Sequence, residues 1–127
     1  MAKVLLIEPD TALARTYVQA LQHVGHHVTH VVTAQAAVQA ADDDQPDLVL
    51  LELRLAAHDG VEFLHEFRSY VEWRHIPVVV NTHLDPASLA PVQEALARDF
   101  GVAACLYKPA TSLRQLVSAV NGQTRAQ

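Results

Sequence analysis

Short apolar runs alternate along the chain with stretches whose apolar residues recur every three or four positions. Lys3 to Ile7 is rich in branched residues and reads as a strand. From Asp10 to Val24, Leu13, Tyr17, Leu21 and Val24 keep helical spacing, with Asp10 or Thr11 as the cap and Gly25 as the stop. Val28 to Val32 reads as a second strand, and Ala34 to Ala41 as a second helix with Ala34, Ala37, Val38 and Ala41 on one face. After Pro46-Asp47, Leu48 to Leu51 is continuously apolar, which suits a strand covered on both faces in a parallel sheet. Gly60 opens a helical pattern through Val61, Leu64, Phe67 and Val71. Ile76 to Val80 is the next buried strand, with Pro77 at its entrance. Leu89 to Phe100 reads as a helix, with Pro91 in or before its first turn and Gly101 as its stop. Val102 to Tyr107 is a fifth strand, and Leu113, Leu116, Val117 and Val120 face one way on a final helix. Five strands alternating with five helices predict an α/β fold: a doubly wound parallel sheet with helices on both faces.

The length of 127 residues suits one core, so residues 1–122 are read as one domain and 123–127 as a frayed tail. Half the residues are apolar and 18% are charged, a globular composition. A net charge of −5 argues against a nucleic-acid partner, because phosphate binding needs a basic face. A single cysteine, Cys105, rules out an internal disulfide framework and fits a reducing compartment. The apolar run after Met1-Ala2-Lys3 is too short for a signal peptide, and no run is long enough to span a membrane. The reading is a cytoplasmic protein with no membrane partner. Eight histidines are many for this length, but neither the H-E-x-x-H spacing nor a Cys/His zinc set is present.

In doubly wound sheets the working site lies beyond the carboxyl ends of the strands. Glu8 ends the first strand, Glu52 the third, Thr82 the fourth and Lys108 the fifth. Brought together, they supply two carboxylates, a hydroxyl and an ammonium. Opposite charges in a partly dry pocket hold each other ionised. On these residues alone, an ion pair closing the sheet edge and a signalling site are equally good readings.

Taken in order, the pieces Val4-Leu5-Leu6-Ile7-Glu8-Pro9-Asp10, Pro46-Asp47-Leu48-Val49-Leu50-Leu51-Glu52-Leu53, Asp59-Gly60, Ile76-Pro77-Val78-Val79-Val80-Asn81-Thr82 and Lys108-Pro109 resemble a response-regulator receiver domain over roughly residues 3 to 121. The resemblance implies a flavodoxin-like (βα)5 fold with strand order 2-1-3-4-5. It also implies an acidic pair after the first strand, a phosphorylated aspartate after the third, a Thr or Ser after the fourth and a lysine after the fifth, with magnesium between acids and phosphoryl group. By position, Glu8 matches the first member of the acidic pair, Thr82 the phosphate-sensing hydroxyl and Lys108 the phosphate-holding lysine. Histidine kinases or downstream effectors are the implied partners. The fourth helix, fifth strand and fifth helix form the implied partner face, through which two copies could also pair.

Several positions depart from the family. Glu52 stands at the phosphoacceptor position in place of Asp, and its extra methylene pushes the carboxylate about 1.5 Å further into the pocket. In-line attack tolerates no such displacement, so phosphoryl transfer to Glu52 is expected to be strongly impaired. Pro9 replaces the second acid and offers no side-chain oxygen, so magnesium binding at Glu8 and Glu52 is expected to be weak or absent. Asp10 lies next, but is expected to turn into the helix cap. Cys105 stands where the family has an aromatic switch residue, and Ala56 where it has a loop proline. The stretch from Thr82 to Lys108 is a few residues long for the family, with the excess around Asp85 to Pro91. His58 and His83 fall near the expected pocket and are read as solvent-facing loop residues, with pH sensing or anion or metal binding as the alternative.

Three functions follow. The leading one is a non-enzymatic, degenerate receiver acting by phosphorylation-independent protein contact, with Glu52 paired to Lys108. The second is a working receiver, phosphorylated by a histidine kinase with unusual ligands and with Asp10 replacing the lost acid. The third is an enzyme or cofactor carrier on the same fold. It is disfavoured because the loop after the first strand has no glycine and matches neither the G-x-G-x-x-G fingerprint nor a phosphate-binding P-loop.

Overall fold

A computed structural model describes residues 2–55 and 59–124. The chain alternates β1 (Lys3–Ile7), α1 (Thr11–His23), β2 (His27–Val31), α2 (Ala34–Asp43), β3 (Leu48–Leu51), α3 (Gly60–Ser69), β4 (Val78–Thr82), α4 (Pro86–Phe100), β5 (Val102–Tyr107) and α5 (Leu113–Thr124). Short 3-10 turns at Val71–Trp73 and Lys108–Ala110 precede β4 and α5. The five strands form one parallel sheet in the order β2-β1-β3-β4-β5, the topology expected from the sequence.

Side chains alternate across a strand, so each central strand feeds two cores. Leu5, Ile7, Val49, Leu51, Val78 and Val80 point to one face and pack against Ala37 and Ala41 of α2, Phe63, Leu64 and Phe67 of α3, and Leu89 and Leu96 of α4. Val4, Leu6, Leu48, Leu50 and Val79 point to the other and meet Ala14, Tyr17 and Leu21 of α1 and Leu116 and Val120 of α5. This double coverage is why β3 is written as uninterrupted Leu and Val. The edge strands are less covered: β2 and most of β5 are only half-buried or exposed.

The helix starts follow local chemistry. Asp10 caps α1 by accepting from Leu13 N–H, Thr33 caps α2, and Asp59 with Glu62 forms a reciprocal capping box at α3. At Gly60 a Cβ would lie 2.8 Å from Leu53 Cα and 3.0 Å from Glu52 O, so only glycine lets α3 start this close to the chain leaving β3. Gly25 closes the turn after α1 with a φ of 97°, in the region that side chains avoid.

Several boundaries differ from the sequence reading: β2 runs from His27 to Val31 rather than from Val28 to Val32, and α3 stops at Ser69, leaving Val71 exposed in the 3-10 turn that follows. α4 starts at Pro86 rather than Leu89, because Asp85 caps it through Ser88 N–H and Pro86 fills its first position. Pro91 therefore lies inside the helix, not in its first turn. β4 runs from Val78 to Thr82, so Ile76 is buried core but precedes the strand. α5 continues through Gly122 to Thr124, beyond the expected boundary at 122. Among the described residues no helix is long and apolar enough to cross a membrane.

Candidate functional site

In-register parallel pairing brings the strand ends to one rim. Ile7 pairs with Leu51, Leu51 with Val80, and Thr82 with Tyr107. Glu8, Glu52, Thr82 and Lys108 consequently converge, and all four are buried, with exposures of 2%, 3%, 0% and 8%. The backbone sets the two acids: Glu8 N–H donates to Val31 O and Glu52 N–H to Ile7 O, both at 3.0 Å.

Lys108 lies between the two carboxylates. Its Nζ is 2.5 Å from Glu8 Oε1 and 2.7 Å from Glu52 Oε1. Glu52 is saturated with donors: Oε1 takes Lys108 Nζ and the His83 N–H at 3.1 Å, while Oε2 takes the Thr82 hydroxyl at 2.5 Å and the Arg54 N–H at 3.1 Å. An ionised carboxylate offers about four lone-pair sites, and here each finds a donor. Thr82 Oγ1 in turn accepts from Leu84 N–H at 3.2 Å. Burial pushes the Glu52 carboxyl upward, but Lys108, the Thr82 hydroxyl and the Arg54 N–H together outweigh it and hold the group below its ordinary value of 4.5.

Glu8 has fewer donors, Asp10 N–H and Lys108 Nζ on its carboxylate and His30 on its backbone. Its Oε2 accepts from Asp10 N–H at 3.1 Å, and its backbone carbonyl accepts from His30 Nε2 at 2.8 Å. Two carboxylates against one ammonium leave a net negative charge in a dry pocket. Among the described residues the buried Asn81 side-chain amide makes no hydrogen bond of ordinary geometry, although the Tyr17 hydroxyl lies close enough to feel it. Burial raises the Tyr17 phenol above its ordinary value.

The remaining predicted residues divide. Asp10 is spent on the α1 cap and is exposed, so its carboxylate is not part of the pocket. Pro9, also exposed, fills the turn between β1 and α1. The His83 ring is half-exposed at the mouth, with Nδ1 3.7 Å from Glu52 Oε1. Cys105 is half-buried on β5 opposite Val80 and packs against the α2–α3–α4 core, which raises its thiol pKa by burial. Ala56 and His58 lie outside the described residues. The backbone donors of Arg54 and His83 and the His30 contact to Glu8 were not singled out from the sequence. Backbone amides carry no residue signature, and the His30 contact joins two strands 22 residues apart.

A family model described as the response regulator receiver domain matches residues 4–121. The chain is 35% identical over 80 residues to the KDP operon transcriptional regulatory protein KdpE of Escherichia coli, covering 63% of this chain and 34% of KdpE. It is 29% identical over 119 residues to the transcriptional regulatory protein PdtaR of Mycobacterium tuberculosis, covering 93% of this chain and 54% of PdtaR. The chain thus spans at most about half the length of these curated relatives. Its fold is similar to that of a CheY-like response regulator receiver domain protein from Methanospirillum hungatei, with a TM-score of 0.85, 20% identity, and coverage of 99% of this chain and 95% of that one. A sensor protein from Polaromonas sp. gives a TM-score of 0.86 at 20% identity, with 98% and 96% covered.

Proposed function

Because the chain belongs to the response regulator receiver family of two-component signalling, we propose that it is a receiver whose pocket is filled by its own carboxylate and which works by phosphorylation-independent contact with other signalling proteins. The observation that carries this reading is the donor set on Glu52. The Thr82 hydroxyl, the His83 N–H and the Lys108 ammonium all converge on one buried side chain. Donors of this kind stabilise a phosphoryl group's oxygens; here they already serve Glu52. The carboxylate brings one negative charge where a phosphoryl group brings nearly two, so the resulting state is fixed rather than an equal copy of a phosphorylated one.

Magnesium does not fit this donor set. The ion needs near-octahedral oxygens at about 2.0–2.1 Å. Pro9 has no side-chain oxygen to give, Asp10 caps α1, and the ammonium of Lys108 occupies one oxygen of each pocket carboxylate. The proposed partners are a histidine kinase or a downstream effector, with a second copy packed on the α4–β5–α5 face as a further arrangement.

The test is incubation with a small phosphodonor and magnesium, followed by intact-mass measurement and a magnesium titration read by NMR at Glu8 and Glu52. The expected result is an unmodified mass and no saturable shift below millimolar magnesium. A stoichiometric, acid-stable and base-labile adduct on Glu52 overturns the proposal and selects a working receiver. A pull-down comparing wild type with Glu52→Gln reads the pocket's output. Changed partner recovery is expected, and identical recovery overturns the claim that Glu52 sets the signalling state.

A further inference from the structure

At the opposite end of the sheet from the carboxylate pocket, a histidine with only 9% exposure joins three parts of the chain. His26 follows the turn after α1. Its Nδ1 lies 3.3 Å from the backbone nitrogen of Ala2, and its Nε2 lies 2.7 Å from Asn121 Oδ1 on the last turns of α5. Ala2 is held from the other side as well, since its carbonyl accepts from His27 N–H at 2.9 Å. The His26 N–H donates to Leu21 O at 3.1 Å, which fixes the ring's own backbone to α1.

These contacts dictate the protonation state. A backbone N–H can only donate, so Nδ1 must be the bare, accepting nitrogen. Nε2 then carries the ring proton and gives it to the Asn121 carbonyl oxygen. Both nitrogens are used, and only a neutral ring with this tautomer satisfies both. A second proton would sit on Nδ1, directly against the Ala2 N–H.

Among the described residues the ring nitrogens have Ala2 N–H and Asn121 Oδ1 as partners, and neither is a carboxylate. Next to the ring along the neighbouring elements stand His23 at the end of α1, His27 on β2, Lys3 on β1 and Asp47 before β3, with Arg15 and Tyr17 further back along α1 and His30 further along β2. Lys3 is engaged by Asp44 through its ammonium and by Asp47 through its N–H. α5 brings Asn121 to the ring, and its charged side chain, Arg114, lies two turns away on the same helix.

We propose that His26 is a pH-operated latch that fastens α5 to the N-terminal strand. The neutral ring closes it; protonation at Nδ1 opens the Ala2 side, while Nε2–H stays on Asn121, so the ring remains with α5 and lets go of the N-terminal strand. The device stands apart from Glu52 and works whether or not the pocket is filled.

Long-range 1H–15N NMR of the histidine rings tests it. At pH 8 the His26 ring is expected as the Nε2–H tautomer. As pH falls from about 8 to 5, the range in which histidines titrate, protection factors of the Ala2 and His27 amides are expected to drop at least threefold with the midpoint of the His26 ring. His26→Gln retains one donor and one acceptor but cannot titrate, and should abolish that pH-linked drop. An Nδ1–H tautomer at pH 8 overturns the proposal. So does an Ala2 and His27 response that persists unchanged in His26→Gln, or, should that variant not fold, one whose wild-type midpoint differs from that of the ring.

Discussion

Lys108 is held by two buried carboxylates, so removing one leaves the ammonium with a single counter-charge rather than none. Glu52→Gln keeps a carbonyl oxygen for the Thr82 hydroxyl but loses the charge facing Lys108. Hydrogen bonds to charged groups are worth about 1.5–3 kcal/mol. The substitution is therefore expected to lower unfolding stability by about 1–3 kcal/mol, read from the urea midpoint, well short of the cost of orphaning the lysine. The pH dependence has a defined sign. The folded Glu52 carboxyl lies below its ordinary value of 4.5, so the unfolded chain binds its proton first as pH falls. Its stabilisation is fully present above about pH 4.5 and is lost as pH drops through the folded value. Urea titrations between pH 7 and 3 should show a stability slope in this acid range that is shallower in Glu52→Gln. Equal slopes would mean that Glu52 is not the titrating group.

Two helices carry sequence choices with opposite expected effects. Gly60 starts α3 against the backbone of Glu52 and Leu53, where a methyl group would sit 2.8 Å from Leu53 Cα. Gly60→Ala must push α3 away from the site loop, and overpacking of this kind costs about 1–3 kcal/mol. The expected readout is a lowered denaturation midpoint, with NMR shifts concentrated at Leu53, Arg54 and the first turn of α3. Pro91 interrupts α4 from within. It has no N–H to offer the Ala87 carbonyl, and its ring crowds that turn. Pro91→Ala should stabilise the protein by up to about 3 kcal/mol, the helix-propensity difference between the two residues. A lowered midpoint would show that the proline fits its helix better than alanine.

At the scale of the whole molecule, Glu52 ties three strand ends together. It leaves β3, takes donors from Thr82 and His83 at the end of β4, and meets Lys108 just after β5. β5 is an edge strand, half-buried along most of its length, and its pairing with β4 shifts register between Val78 and Val79. Local opening follows such thinly covered regions. Glu52→Ala is expected to lower amide protection by about tenfold or more in β5 and the end of β4, an opening cost above about 1.4 kcal/mol. β1 and β2 should change less. A uniform fall across the sheet would show that the carboxylate contributes only to global stability.

The alternation of short apolar runs with helical spacing determined the five β/α units, because burying one face of a helix and both faces of a central strand demands those periods. The residues at the strand ends were legible as a group: Glu8, Glu52, Thr82 and Lys108 stand where buried runs stop, although an ion pair closing the sheet edge explained them as well until the order of motifs pointed to the family. Helix starts were legible where the cap is a short polar side chain, as at Asp10, and α4 was misplaced because Asp85-Pro86 went unused as a start signal. What the sequence could not supply is who meets whom at hydrogen-bonding distance. That Lys108 chooses both acids, that Glu52 collects two backbone amides besides its side-chain donors, and that His26 bridges Ala2 and Asn121 all depend on contacts between positions up to 95 residues apart. Periodicity reports only which face of an element is dry. Distances and donor directions arise when those faces are packed, so tertiary structure alone decided them.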